Sequence, residues 1–162
     1  MEQPQRQSFE PIYREHRRMV AQMCLGFAQG ELGLAEDLTQ EVFINVWKGL
    51  PYFKGQASLR TWIYRITVNT CLRQVRKQPG DTVPLEEASE ELPALPPTEV
   101  VSHQPLYQAI GRLPETDRLI IMMVLEDQPY EEIAAVMGLS PGALRVRIHR
   151  VKQKLKKWLD YA

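Results

Sequence analysis

Residues 78–104 read QPGDTVPLEEASEELPALPPTEVVSHQ. Prolines at 79, 84, 93, 96 and 97 deny this stretch any long helix, because each lacks a backbone N–H and clashes with the preceding turn. It carries 6 acidic residues, no Lys or Arg and few large apolar side chains, a composition suited to a solvated linker. The chain must therefore be assembled from two blocks, 1–77 and 105–162, each the size of one small domain. Charge divides the same way. The first block has 11 Lys/Arg against 7 Asp/Glu and the last has 9 against 7, so a net charge of zero conceals a basic–acidic–basic layout.

Both blocks carry helical periodicity. Phe9, Ile12, Tyr13, His16, Met19, Val20, Met23 and Phe27 recur at steps that place them on one face of an α-helix. Gly30 and Gly33 interrupt that pattern, and a second helix is predicted from about Leu34 to Leu50, with Leu38, Val42, Val46 and Leu50 inward. Pro51 and Gly55 mark a loop, PYFKGQA. Ser58 is placed to cap a third helix that runs to about Lys77, with Leu59, Ile63, Ile66 and Thr70 inward. In the last block a short helix near Leu106–Arg112 precedes Pro114, and LPETDRLIIMMVLED reads as a helix with Pro114 in its first turn. PYEEIAAVMG is a short helix closed by Gly138. Ser140 caps the final helix, with Pro141 at its first position. No strand-like alternation persists. The expected fold class is all-α: two small helical domains joined by a flexible acidic, Pro-rich linker, the second a helix-turn-helix.

Several functions are disfavoured. No run approaches ~18 apolar residues, so no membrane insertion is expected. The N-terminus, MEQPQRQSFE, lacks a signal-peptide core, and nothing beyond Ala162 is expected to add a sensory domain. Cys24 and Cys71 each sit in an apolar helical pattern and read as buried thiols, which fits a reducing cytoplasm. His16, His103 and His149 are isolated, so no metal site is expected. There is no Walker-type loop, and Gly26, Gly30 and Gly33 follow a helix, not a strand. No carboxylate pair stands out for acid–base work. The expectation is a protein with no catalytic residues and no cofactor.

The final helix carries the strongest positive signal. Leu144, Ile148, Val151 and Leu155 keep one face apolar, able to pack on Ile133, Ala134 and Met137. The other faces hold Arg145, Arg147, Arg150, Lys152, Lys154, Lys156 and Lys157, with no acid between Arg145 and Lys157. Cations are favoured near a helix C-terminus by the helix dipole, so a solvated basic face would explain part of this run. The preceding short helix and tight turn have the shape of a helix-turn-helix. The first turn, Ser140, Pro141, Gly142 and Ala143, is small enough to approach a groove floor, and the arginines begin directly after it. Arginine pairs bidentately with guanine or clamps phosphate, so this block is read as DNA-binding. In the first block, Phe53, Trp62 and Tyr64 are interleaved with Lys54, Arg60, Arg65, Arg73, Arg76 and Lys77, a mixture suited to single-stranded DNA. Trp62 and Ile66 are expected in the core.

AEDLTQEVFINVW at 35–47 and FKGQASLRTWIYRITVNTCLRQVRK at 53–77, followed by LPETDR at 113–118 and YEEIAAVMGLSPGALRVRIHR at 130–150, resemble the bacterial sigma factors of the extracytoplasmic-function type. The resemblance implies a transcription initiation factor that binds core RNA polymerase and directs it to promoters, without an active site of its own. It implies that Asp37, Gln40 and Glu41 meet the clamp helices of the largest polymerase subunit. It implies that the loop before the TWIYRI helix captures an unpaired base of the −10 element. The candidates there are Phe53, Lys54, Gly55, Gln56 and Ser58, with Arg60, Tyr64, Arg65, Asn69, Arg76 and Lys77 on the helix that follows. The −35 duplex would be read by Ser140, Pro141, Gly142, Ala143, Arg145, Arg147, His149, Arg150 and Lys154. An anti-sigma partner is also implied. Residues 1–77 would then serve polymerase and the −10 element, and 105–162 the −35 element. The linker at 78–104 would either thread the polymerase's positive channel or act as a plain tether. Relatives often carry Gly-Thr-Val-x-Ser-Arg in the recognition helix, where this chain has Gly142-Ala143-Leu144-Arg145-Val146-Arg147. Two hydroxyls are thereby lost, and the arginines are left with more of the contact. The rival readings are a self-standing helix-turn-helix repressor or activator, which would bind as a dimer with half-sites a helical turn apart, and a nucleic-acid-processing enzyme, which the absent catalytic constellation disfavours.

Overall fold

A computed structural model describes residues 3–76 and 104–160. The predicted linker, apart from Gln104, lies outside the described residues, as does Lys77. The elements are α1 (Gln3–Phe27), α2 (Leu32–Gly49), a 3-10 turn (Leu50–Tyr52), α3 (Leu59–Arg76), α4 (Gln104–Gly111), α5 (Glu115–Leu125), α6 (Tyr130–Met137) and α7 (Pro141–Asp160). Among the described residues there is no strand.

Local chemistry accounts for most boundaries. Ser58 Oγ accepts the Thr61 N–H at 3.1 Å, and Ser140 Oγ accepts the Ala143 N–H at 3.2 Å, so both expected caps form. Gly138 ends α6 in the left-handed region at φ 69, and the Leu139 N–H returns to the Ala134 carbonyl at 3.0 Å. Two details differ from the sequence reading. Leu50 opens the 3-10 turn rather than closing α2, because Pro51 cannot continue the α-helical hydrogen bonding. Pro114 is the residue before α5, with an extended ψ of 154, rather than part of its first turn.

Phe9 packs edge-on against Trp47 at 5.2 Å and Phe43 at 6.3 Å, and Tyr13 against Phe43 at 4.7 Å. Each such pair adds ~0.5–1.5 kcal/mol beyond the area it buries, and together they fasten α1 to α2. Cys24 of α1 and Cys71 of α3 are free, fully buried and in contact. The hydrogen bond between them and their burial push the Cys71 thiol well above its ordinary range.

The unexpected feature is at the C-terminal half of α1. Periodicity predicted one buried face, yet every residue from Met19 to Ala28 is buried. The reason is that α4 and α5 cover the side of α1 that α2 and α3 leave open. One apolar cluster runs through both blocks. Arg118 of α5 ties the joint: its guanidinium donates to the Phe27 carbonyl at 3.3 Å and the Gly111 carbonyl at 3.0 Å. These carbonyls lie at the C-terminal ends of α1 and α4, where the helix dipole favours a cation. The Gln29 amide, turned with its oxygen inward, accepts from the same guanidinium at 2.8 and 3.2 Å. Burial lowers the pKa of Arg118 from its usual value, with Glu115 opposing the change. Beside it the Tyr107 hydroxyl of α4 donates to Gln22 Oε1 of α1. Gly26 of α1 allows close approach, because a Cβ there would meet Met122 of α5.

Candidate nucleic-acid interface

The helix-turn-helix is built as its sequence suggests. Leu144, Ile148, Val151 and Leu155 of α7 are buried, as are Ile133 and Ala134 of α6. Arg112, in the turn directly after α4, lies over the Trp158 ring at 4.3 Å, which ties the far end of α7 to the domain. This packing turns the opposite side of α7 to solvent. Ser140, Pro141, Gly142, Ala143, Arg145, His149, Arg150 and Lys154 are all exposed. Small residues at the tip followed by exposed arginines can enter a major groove and meet base edges and phosphates.

Arg147 does not share this exposure. Its Nε donates to Asp117 Oδ1 at 2.5 Å, and its side chain is 37% exposed. The arginine expected on DNA is thus anchored to α5, across 30 residues of sequence. Sequence reasoning also passed over Val146, which is 52% exposed on the outward side of α7. An apolar side chain there is suited to a thymine methyl group. Exposure of a β-branched residue within an arginine run is the signal that could have singled it out.

On the first block, Lys54, Gly55, Gln56, Ser58 and Arg60 are exposed along the loop and at the start of α3, and Arg65, Asn69 and Arg76 further along α3. Phe53 is half-buried, its ring tilted 39° against Trp62 at a centroid distance of 4.9 Å. Trp62 and Ile66 pack against the core, as expected. Tyr52, which the sequence reading left unassigned, is 80% exposed and offers a second aromatic face at the loop. Tyr64 departs from its expected place on DNA, being 1% exposed. It lies on α3, against which α6 packs, and within electrostatic range of Glu126 and Glu132 of the other block. Burial pushes its phenol up to about 12, and nearby Arg60 eases part of that rise. Its hydroxyl has no hydrogen-bond partner of sound geometry.

On α2, Asp37 and Gln40 are exposed and Glu41 is half-buried, and all three flank the buried Leu38 and Val42. The patch joins hydrogen-bonding groups to a rigid helix, a composition typical of a protein-docking rim. No helix among the described residues is long and apolar enough to cross a membrane.

Comparison with known proteins adds the following. Residues 12–79 match sigma-70 region 2, and residues 103–155 match sigma-70 region 4. The ECF RNA polymerase sigma factor SigE of Mycolicibacterium smegmatis is 32% identical over 94% of this chain, which spans 62% of that protein's length. The RNA polymerase sigma-H factor of Pseudomonas aeruginosa is 30% identical, over 95% of this chain and 93% of its own. The ECF RNA polymerase sigma-E factor of Escherichia coli is 35% identical, over 76% of this chain and 72% of its own. Among solved structures, the chain is similar in fold to the sigma factor RpoE crystallised with the anti-sigma factor NepR from Bartonella quintana. That likeness has a TM-score of 0.74 and 21% identity, over 94% of this chain and 97% of the other.

Proposed function

Because this chain belongs to the extracytoplasmic-function sigma factors of bacterial RNA polymerase, we propose how its surfaces divide the work of initiating transcription. The protein is a transcription initiation factor whose partners are core RNA polymerase, promoter DNA and an anti-sigma factor. It works in the cytoplasm and leaves phosphodiester chemistry to the polymerase. Residues 1–77 serve core binding and −10 capture, 78–104 the connection, and 105–162 the −35 duplex.

Asp37, Gln40 and Glu41 dock on the clamp helices of the polymerase. The loop at 53–58, with Arg60 directly after it and Arg65, Asn69 and Arg76 further along α3, holds the opened −10 strand. Tyr52 adds a stacking face. The α7 tip reads the −35 element through Arg145 and Arg150, while Arg147 positions the helix through Asp117. The observation that carries this assignment is the tip itself: four small exposed residues, then exposed arginines, on a helix whose other face is buried.

The compact arrangement described above cannot serve both elements at once. Elements centred at −35 and −10 are about 25 base pairs apart, or roughly 85 Å at ~3.4 Å per step. A compact body of this length has a radius of gyration of only about 15 Å. The two blocks therefore separate on the promoter, and separation uncovers Tyr64.

Run-off transcription with purified core polymerase on a genomic fragment library tests the reading. Discrete start sites that depend on the protein are expected. Gln40→Ala with Glu41→Ala should weaken core capture, and Arg145→Ala or Arg150→Ala should cost ~1–3 kcal/mol in promoter binding. Tight duplex binding without polymerase, and no transcript with it, would favour the repressor reading and overturn this one.

A further inference from the structure

A cleft of about 300 Å³ lies between α1 and the start of α3, lined by Glu15, His16, Met19, Leu59 and Arg60. The assignment above leaves it unused, although Leu59 and Arg60 directly follow the strand-capturing loop at 53–58. Its chemistry is mixed in an informative way. Met19 is buried and Leu59 half-buried, and they supply apolar surface. The side chain of His16 is 8% exposed, whereas that of Glu15 is 77% exposed. His16 Nε2 and Glu15 Oε2 stand 3.9 Å apart, too far for a hydrogen bond, so each can still meet a ligand. Burial lowers the pKa of His16, Glu15 opposes that and Arg60 reinforces it, so the imidazole stays neutral with one N–H to donate.

We propose that this cleft is a second nucleobase subsite, which takes one unpaired adenine or cytosine of the opened promoter strand beside the base held by the loop. The proposal rests on the initiation reading above. The volume is at the small end for ligand sites, which suits a single base. Met19 and Leu59 cover the base face, as apolar and aromatic surfaces do for flipped bases. The Glu15 carboxylate accepts from the exocyclic amine, and the His16 N–H meets the adjacent ring nitrogen. Thymine would bring a carbonyl oxygen to the same carboxylate, and guanine, whose amine neighbours a protonated N1, would set a donor against the His16 N–H. Arg60, exposed at the rim, meets the phosphate of that nucleotide.

The test is transcription by core polymerase and the full chain from promoters randomised across the −10 element and its flanks, with the transcripts sequenced. The parent should show one position enriched in adenine or cytosine that loop variants such as Gln56→Ala leave intact. Glu15→Lys exchanges an acceptor for a donor and should turn that position toward guanine or thymine by about tenfold. His16→Gln, which keeps an amide donor, should retain the parental preference. Identical base profiles for the parent and Glu15→Lys would overturn the subsite, and so would a uniform fall at every position. A parent that starts no transcript overturns the initiation reading, and the subsite falls with it.

Discussion

Gly26 gives direct access to the joint between the two blocks. A Cβ built there would lie 2.3 Å from Met122 Sδ and 2.4 Å from Met122 Cγ, where attractive contact begins at about 3.5 Å. Met122 is only 2% exposed, and its Cγ is close to the backbone, so the side chain cannot swing clear at no cost. Gly26→Ala therefore acts in opposite senses at two levels. Within α1 itself, alanine is favoured over glycine by ~1 kcal/mol. At the contact with α5, overpacking costs ~1–3 kcal/mol. The first block should keep or gain stability while its hold on α4 and α5 loosens. Small-angle scattering should show the radius of gyration rising above the compact value of about 15 Å. Hydrogen exchange should show amides of α5 losing protection while those of α2 keep theirs. Binding of a single-stranded −10 oligonucleotide should strengthen, because separation uncovers α3. An unchanged radius with unchanged α5 protection would refute the reasoning. A uniform loss of protection in both blocks would refute it too, since it would make Gly26 an ordinary core position.

Other perturbations address single contacts. Asp117→Asn removes the charge held by Arg147; since that arginine is partly exposed, a loss of about 1–2 kcal/mol in thermal unfolding is expected, with a double-mutant cycle to Arg147→Met isolating the pair. Ser140→Ala should cost ~1 kcal/mol by uncapping α7; Ser140→Asp should restore stability but weaken promoter binding in a filter assay, because it sets a carboxylate toward phosphate. Tyr107→Phe should destabilise the joint by ~1 kcal/mol through loss of the Gln22 bond, whereas Tyr64→Phe should be neutral or slightly stabilising, since its buried hydroxyl lacks a partner. His16 has its pKa held below the ordinary 6.5, so the folded chain binds its proton less readily than the unfolded chain. Its contribution to stability is full above pH 6.5 and declines as pH falls through the lowered folded-state value, a slope in denaturant midpoints that His16→Gln should flatten.

What the sequence determined by itself is what short-range chemistry encodes. The helices, the caps at Ser58 and Ser140, the left-handed stop at Gly138 and the apolar stripe of α7 depend on residues within a turn or two. Steric and hydrogen-bonding rules of that range leave a periodic trace. The exposed small tip and the arginines after it were legible for the same reason: once the stripe is known, the opposite side of the helix is known.

What only the tertiary structure decided is the partner of each polar residue and the second face of each helix. Arg147 meets Asp117 across 30 residues, Tyr107 meets Gln22 across 85, and Arg118 meets Phe27 across 91. No periodicity carries such separations. The burial of Tyr64, the need for glycine at position 26 and the joining of Glu15 and His16 to Leu59 and Arg60 likewise follow from which helices lie side by side. An arginine in a basic run reads the same whether it faces DNA or an aspartate on the next helix. Only packing, which brings the aspartate within 2.5 Å, separates the two.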